Sequence, residues 1–163
     1  MNEYIEATRS RVVVYDGGMG TSIQQAGLGA DDFGGSEFEG CNELLSVTRP
    51  DVVEQIHAAY LEAGVDVIET NTFGGFAIPL AEYGIENRVH DLNLASARLA
   101  RRVVADFATD GRKRWVAGSI GPGTKFPTLG QIHYSDLCDA YEEQAGGLLE
   151  GGVDLFIIET QFD

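Results

Sequence analysis

Four short apolar segments alternate along the chain with longer segments of helical periodicity. The apolar segments span residues 12–15, 65–72, 115–120 and 153–160. The first is a β-branched run without polar alternation, which is typical of a strand buried on both faces. The last is the most apolar of the four. This pattern predicts four strands separated by helices.

The segments of helical periodicity have recognisable starts and stops. The predicted helices span residues 48–64, 77–83, 87–107 and 135–150. In the first, the Thr48 hydroxyl can cap, Pro50 lies in the first turn and Asp51 faces the positive end of the helix dipole. Gly64 and Gly84 are predicted to end the first two helices.

Residues 27–47 form a polar, acidic connection that is longer than most loops in compact domains. Such a loop is predicted to be a functional lid or a flexible segment.

The chain also contains a short internal echo, that is, two similar six-residue segments. Leu61-Glu62-Ala63-Gly64-Val65-Asp66 resembles Leu149-Glu150-Gly151-Gly152-Val153-Asp154. Both copies lie at a helix-to-strand junction, which indicates a recurring βα unit.

Alternating strands and helices predict an α/β fold with a parallel sheet and helical crossovers. Gly17, Gly18 and Gly20 do not fit the G-x-G-x-x-G pattern of a doubly wound dinucleotide-binding sheet. Polar residues at the carboxyl ends of the strands instead favour the catalytic face of a TIM-type (β/α)8 barrel. Eight strands close such a barrel, so we expect residues 1–163 to be a single domain, about half a barrel.

The composition narrows the classes of function. The chain has 163 residues with 11 Lys and Arg against 26 Asp and Glu, a net charge of −15. This excess of acidic residues argues against binding to nucleic acid or to an anionic membrane surface. The polar N-terminal stretch and the lack of a long apolar run predict a cytoplasmic protein.

Two acidic residues are the main candidates for ligand binding. Asp16 follows a predicted strand and precedes two glycines, so it could bind a ligand ammonium group; the alternative is a turn residue that caps its own backbone. Glu159 ends an apolar strand, where an ionised carboxylate is unfavourable without a partner. For Glu159, a role in ligand binding is favoured over a salt bridge to a basic residue. Glu69 has the same position on the second strand and could equally be a structural carboxylate.

Other polar residues at strand ends are weaker candidates. Asn71, Thr72 and Ser119 could line the mouth of the site, next to glycines that also suit plain turns. The histidines His57 and His90 are expected to be solvated or to pack between helices, and no partner is identified for His133. Cys41 and Cys138 lack a second Cys or His at ligand spacing, so a zinc site built from this chain alone is not expected.

Several motifs together resemble the homocysteine-binding barrel of the cobalamin-dependent methionine synthases. They are, in order, Asp16-Gly17-Gly18-Met19-Gly20-Thr21, Gly40-Cys41-Asn42-Glu43-Leu44-Leu45, Thr48-Arg49-Pro50-Asp51-Val52-Val53, the segment 64–74, the segment 118–122 and the segment 158–163. The resemblance covers nearly the whole chain from Val12 onward.

The resemblance implies an S-methyltransferase that moves a methyl group from methylcobalamin, supplied by methyltetrahydrofolate, to the zinc-bound thiolate of homocysteine and forms methionine. It implies that Asp16 and Glu159 bind the ammonium group of the amino acid and that the Gly17-Gly18 backbone binds its carboxylate. Asn71, Thr72 and Ser119 would be pocket neighbours. The resemblance assigns no catalytic residue and no metal ligand to this chain.

In that family the three zinc cysteines come from later strands, and separate domains bind cobalamin and folate. The resemblance therefore implies that this chain alone binds no zinc or cobalamin and is inactive, with homocysteine and those domains as partners. Three alternatives stay open. They are a standalone homocysteine methyltransferase using S-methylmethionine or betaine, a non-catalytic half-barrel that self-associates through its open sheet edges, and a flavodoxin-like nucleotide-binding domain.

Overall fold

Three parallel strands form the sheet in the computed structural model, which describes residues 3–108 and 111–162. The strands are β1 (Val67–Glu69), β2 (Trp115–Ile120) and β3 (Leu155–Ile158), in the spatial order β1-β2-β3. Val67 lies opposite Trp115, and Ala117 lies opposite Leu155. Because all pairs are parallel, each crossover returns through a helix and the carboxyl ends of the strands share one edge. The predicted α/β class is confirmed.

Eight α-helices are described. They are α1 (Glu3–Ser10), α2 (Met19–Gln25), α3 (Ala30–Phe33), α4 (Leu45–Thr48), α5 (Pro50–Ala63), α6 (Ala77–Leu80), α7 (Val89–Asp106) and α8 (Tyr134–Gly151). The long helices match the predicted ones within a few residues, and Gly64 ends α5 at φ 99°. The prediction that Thr48 caps α5 is wrong. Thr48 is the last residue of α4, and its hydroxyl donates to the Leu44 carbonyl. None of the described helices combines the length and apolarity needed to span a membrane.

The segment 27–47 is not a plain loop. It contains α3, two 3-10 turns, Ser36–Phe38 and Asn42–Leu44, and all but the last residue of α4. The second turn brings Asn42 and Glu43 to the carboxyl edge of the sheet. The segment is therefore a chain of short helical turns that contributes to the site described below.

The first predicted strand is reduced to one point of pairing. Tyr15 forms a single parallel bridge with Val67, beside β1. Val12 is 81% exposed and Val14 is 49% exposed, so the expected burial on both faces is wrong. The physical reason is position: this segment is the edge of the sheet, and its outward face lacks a covering helix among the described residues.

The apolar strand β3 forms the opposite edge and shows the same asymmetry. Leu155 and Ile157 pack with Val67, Trp115 and other residues on one face of the sheet. On the other face Phe156 and Ile158 are exposed, Ile158 by 71%. One side of this edge strand is therefore open, although its sequence is continuously apolar.

The main core lies between the sheet and the helices α5 and α7. Its buried members include Val53, Leu61, Ile68, Leu99 and Val116. Helix α8 packs closely on α7, and Gly147 and Gly151 lie at that contact. This layer of helices holds the sheet from one side and leaves its carboxyl edge accessible.

The internal echo has a structural cause. In the first copy Asp66 accepts a hydrogen bond from the backbone N–H of Val14 at 3.0 Å and an ion pair from Arg11 at 2.8 Å. In the second copy Asp154 accepts the N–H of Val116 at 2.8 Å and pairs with Arg101. Each aspartate thus ties the start of its own strand to the neighbouring strand, and the predicted repeated βα unit is confirmed.

Candidate functional site

A cavity of about 510 Å³ opens at the carboxyl ends of the strands. It is lined by Asp16, Gly17, Gly18, Met19, Gly20, Asn42, Glu43, Glu69, Thr70, Asn71, Thr72, Phe73, Ser119 and Glu159. All seven residues proposed from the sequence as substrate-binding are among them. Polar residues meet here because parallel strands end at the same edge.

Asp16 and Glu69 are joined at the floor of the cavity. The backbone N–H of Glu69 donates to Oδ1 of Asp16 at 2.9 Å, and the Asp16 side chain is only 5% exposed. Burial raises the pKa of Asp16 to about 7, and the carboxylates of Glu69 and Glu159 add to the effect. Burial, followed by the neighbouring Glu159, raises the pKa of Glu69 to about 7 as well.

Glu159 lines the cavity directly after β3, as a close neighbour of Glu69. Its Oε1 accepts a hydrogen bond from the Ser119 hydroxyl at 2.6 Å. None of the ion pairs among the described residues involves Glu159, so the salt-bridge alternative is wrong. The next residue, Thr160, has φ 57°, a strained conformation for a β-branched side chain. Strain of this kind is characteristic of functional sites.

A closed circuit of hydroxyl groups joins β1 to β2 beneath the cavity. The backbone N–H of Ser119 donates to Oγ1 of Thr70 at 3.0 Å, and the Thr72 hydroxyl donates to the Ser119 carbonyl at 2.8 Å. Since the Thr72 proton is used in that bond, Thr70 is the donor in the 2.6 Å contact between the two threonine hydroxyls. The circuit fixes the chain after β1 against the end of β2.

Asn71 and Glu43 hold the second 3-10 turn over the cavity. The side-chain amide of Asn71 donates to the Asn42 carbonyl at 2.6 Å. The backbone N–H of Gly74 donates to Oε1 of Glu43 at 2.7 Å. Burial raises the pKa of the Glu43 carboxyl. Sequence reasoning did not single out Glu43; an acidic residue directly before two apolar ones was the available signal.

The lining contains four carboxylates and no basic side chain. Asp16, Glu43, Glu69 and Glu159 are present, whereas Lys, Arg and His are absent from the lining. Carboxylates that face each other without a cation destabilise their ionised forms. The cavity is therefore suited to a ligand that carries a positive charge.

The glycines Gly17 and Gly18 are exposed at the rim of the cavity. Gly18 has φ 60°, which favours glycine, and a Cβ there would meet the Tyr60 hydroxyl at 3.2 Å. At Gly17 a Cβ would have no atom within 4 Å. Without side chains, this backbone is accessible to a ligand.

The histidines and cysteines lie outside the cavity lining. His57 is not solvated but fully buried behind Asp16, whereas His90 is half-exposed and faces Glu150.

Both cysteines are free. Cys41 is buried, and burial, followed by the neighbouring Glu43, raises the pKa of its thiol to about 12. Within the two described ranges no three His, Cys, Asp or Glu side chains are grouped to hold a metal ion. These residues do not fit the zinc site that the family resemblance implies.

Solved structures share this fold. The homocysteine methyltransferase MmuM from Escherichia coli, in its oxidised form, matches with a TM-score of 0.76 at 20% identity, over 96% of this chain and 56% of that one. Its metallated form matches with a TM-score of 0.74 at 21% identity, over 94% of this chain and 56% of that one. At this level of identity the likeness concerns the fold.

Sequence comparisons identify the relatives. The methionine synthases of Mycobacterium tuberculosis (strain ATCC 25618 / H37Rv) and Mycobacterium leprae (strain TN) are each 49% identical over 158 residues. The match covers 97% of this chain and 13% of theirs, so the chain spans a small part of their length. The family model for homocysteine S-methyltransferase matches residues 13–163. The chain therefore belongs to the homocysteine S-methyltransferase family.

Proposed function

We propose that this chain binds the amino-acid part of homocysteine, as the substrate-binding portion of a methionine synthase. The observation that carries the proposal is the set of four cavity carboxylates without a basic side chain. An α-ammonium group supplies the missing positive charge. Family membership names the substrate class, and the cavity chemistry agrees with it.

Two carboxylates are proposed to bind the ammonium group. Asp16 and Glu159 reach the cavity from different strand ends. Oδ1 of Asp16 accepts the N–H of Glu69, and Oε1 of Glu159 accepts the Ser119 hydroxyl. The exposed Gly17-Gly18 backbone would bind the ligand carboxylate, which can approach because no Cβ stands in its way. Asn71, Thr72 and Ser119 shape the wall between these points.

The metal of the family would be held by residues outside this chain. A zinc ion there would deprotonate the homocysteine thiol, which makes sulfur the nucleophile for the methyl group. The described residues offer no such ligand set, so their part is to bind and orient the amino-acid end of the substrate. Cobalamin and folate would be bound by other domains of the longer protein.

We also propose that residues 1–163 form the N-terminal half of a (β/α)8 barrel. The open apolar faces at Val14 and Ile158 are where further strands and helices of the barrel would pack. The chain covers 56% of the E. coli MmuM structure, which leaves a comparable part of that fold to supply them. Without that part, the same edges would favour self-association.

The ammonium proposal is tested by calorimetric titration with two ligands. L-homocysteine carries the ammonium group, and 4-mercaptobutanoate is the same molecule without it. We expect the wild-type chain to bind L-homocysteine and to bind 4-mercaptobutanoate at least about tenfold more weakly, because a hydrogen bond between charged groups is lost. Equal affinity for both ligands would contradict the proposal.

The variant Glu159→Gln locates the effect. It removes one carboxylate charge while keeping an acceptor for Ser119, and we expect about tenfold weaker binding of L-homocysteine with little change for 4-mercaptobutanoate. Glu143→Gln, on the exposed face of α8, is the matched control and should bind both ligands like the wild type. A loss of homocysteine affinity in the control as large as in Glu159→Gln would refer the effect to overall charge.

A further inference from the structure

His57 is a fully buried histidine in the middle of α5. Its side chain is 0% exposed, and neither ring nitrogen has a hydrogen-bond partner among the described residues. The nearby acidic group is Asp16, whose Oδ2 lies 3.9 Å from Nδ1 of His57. Asp16 lines the cavity and His57 does not, so His57 stands directly behind a cavity carboxylate.

The imidazole ring of His57 is neutral. Burial lowers the pKa of His57 to about 4, so near neutral pH one ring nitrogen carries a proton and the other is a free acceptor. A buried polar group without a partner is unfavourable compared with an apolar side chain of similar volume. The ring is therefore suited to donate its N–H to a group whose charge state changes.

Asp16 is such a group. Its Oδ1 accepts the Glu69 N–H, while its Oδ2 faces His57. The charged side chains that act on it from the other strand ends are Glu69 and Glu159, which both disfavour its ionised form. An N–H donor behind the carboxylate acts in the opposite direction and favours ionisation.

We propose that His57 is a positioning residue for Asp16, whose Oδ2 in the ionised, ammonium-binding form accepts a hydrogen bond from Nδ1–H of His57. The 3.9 Å separation closes when the carboxylate becomes charged. Glu69 N–H and His57 then hold one oxygen each and direct the remaining lone pairs into the cavity. The inference rests on the proposed function, because it assigns an ammonium group as the ligand of Asp16.

The position of the ring proton is the direct test. Nitrogen-15 NMR of the wild-type chain distinguishes the two neutral tautomers of His57, measured well above the pKa of about 7 of Asp16. We expect the proton on Nδ1, facing the ionised carboxylate. A proton on Nε2 under these conditions would overturn the proposal, because a bare Nδ1 cannot donate.

Variants provide the second test. His57→Leu fills the space without a donor, and His57→Asn keeps an amide N–H near the position of Nδ1. We expect His57→Leu to raise the Asp16 pKa, measured by carbon-13 NMR without ligand, and to weaken L-homocysteine binding about tenfold. We expect His57→Asn to have an Asp16 pKa and an L-homocysteine affinity closer to those of the wild type than His57→Leu has. His90→Leu on α7 is the matched control and should change neither.

The outcomes separate the two proposals. A wild-type chain that does not prefer L-homocysteine over 4-mercaptobutanoate contradicts the proposed function, while the tautomer and the ligand-free Asp16 pKa still report on His57. A His57→Leu chain that loses thermal stability but keeps the Asp16 pKa shows a purely structural role and overturns the His57 proposal. The tautomer measurement uses the wild type and does not depend on the variant folding.

Discussion

At the scale of single residues, the cavity brings several carboxylates close to one another. Glu69 accepts no ion pair among the described residues, and burial together with Glu159 raises its pKa to about 7. A raised carboxylate pKa means that the folded protein holds a proton that the unfolded chain has released. Above that pKa the charge of Glu69 is unfavourable in the folded protein, and the ammonium group of the proposed ligand would offset it.

The pH dependence of stability tests this view of Glu69. Below its ordinary pKa of 4.5 both states are protonated, and above about pH 7 the folded state carries the full unfavourable charge. Between these values the free energy of unfolding falls as pH rises. We therefore expect Glu69→Gln to raise the melting temperature at a pH above 7, and to have little effect at a pH below 4.5.

Glu62→Gln is the matched control, because Glu62 is an exposed glutamate of α5. Its melting temperature should follow that of the wild type at both pH values. An equal gain for Glu69→Gln at low and high pH would show that the charge of Glu69 is not the cause.

The residue scale also shows how far sequence reasoning reached. Asp16, Ser119 and Glu159 could be placed together because each lies at the carboxyl end of a predicted strand, and parallel strands share their carboxyl edge. Glu43 could not be placed, since its position depends on the fold of the segment 27–47. His57 was expected to be solvated or to pack between helices, and only the seating of α5 on the sheet reveals that it faces Asp16.

At the scale of elements, helices were predicted more accurately than strands. Helix α5 begins and ends where Pro50 and Gly64 place it, because proline and left-handed glycine are local signals. Strand β1 stops at Glu69, although the predicted strand continues to Thr72. The Thr70 N–H still donates to the Ala117 carbonyl of β2 at 2.9 Å. Beyond that bond the hydroxyls of Thr70 and Thr72 form the circuit with Ser119, which depends on a tertiary contact that a local pattern does not contain.

The contact between α7 and α8 gives a test at this scale. A Cβ at Gly147 would lie 2.6 Å from the backbone carbonyl of His90, whereas a Cβ at Gly146 would have no atom within 4 Å. We expect Gly147→Ala to lower the free energy of unfolding by about 1–3 kcal/mol, because the helices must separate. Gly146→Ala should raise it by about 0.5–1 kcal/mol through helix propensity.

Urea unfolding of the two variants and the wild type measures both effects. The pair differs by one position on the same helix, so composition and length are matched. Equal effects of Gly146→Ala and Gly147→Ala would mean that α7 and α8 are not held at this close separation. A stabilised Gly147→Ala would contradict the packing directly.

At the scale of the whole molecule, the sheet is open at both edges. Val12 is 81% exposed at one edge and Ile158 is 71% exposed at the other. Both lie on the face that the helices cover in the centre of the sheet, since Val13 and Ile157 occupy the opposite face. Buried strands and a cavity thus coexist with exposed apolar edges, which a partner segment or a second copy of the chain would cover under the proposals made above.

Association of the 163-residue chain tests the importance of these edges. We expect the wild type to form dimers or larger species as its concentration rises, and Val12→Thr with Ile158→Thr to shift the equilibrium toward monomer. Threonine keeps the β-branched shape and puts a hydroxyl in place of a methyl group of Val12 and of the ethyl group of Ile158, so the strands remain favourable while the apolar area falls. Val47→Thr, an equally conservative change at an exposed position of α4, should leave association unchanged.

Analytical sedimentation across the micromolar range measures the association of the wild type, the double variant and Val47→Thr. A wild type that stays monomeric and unfolds cooperatively would show that the open edges do not drive association.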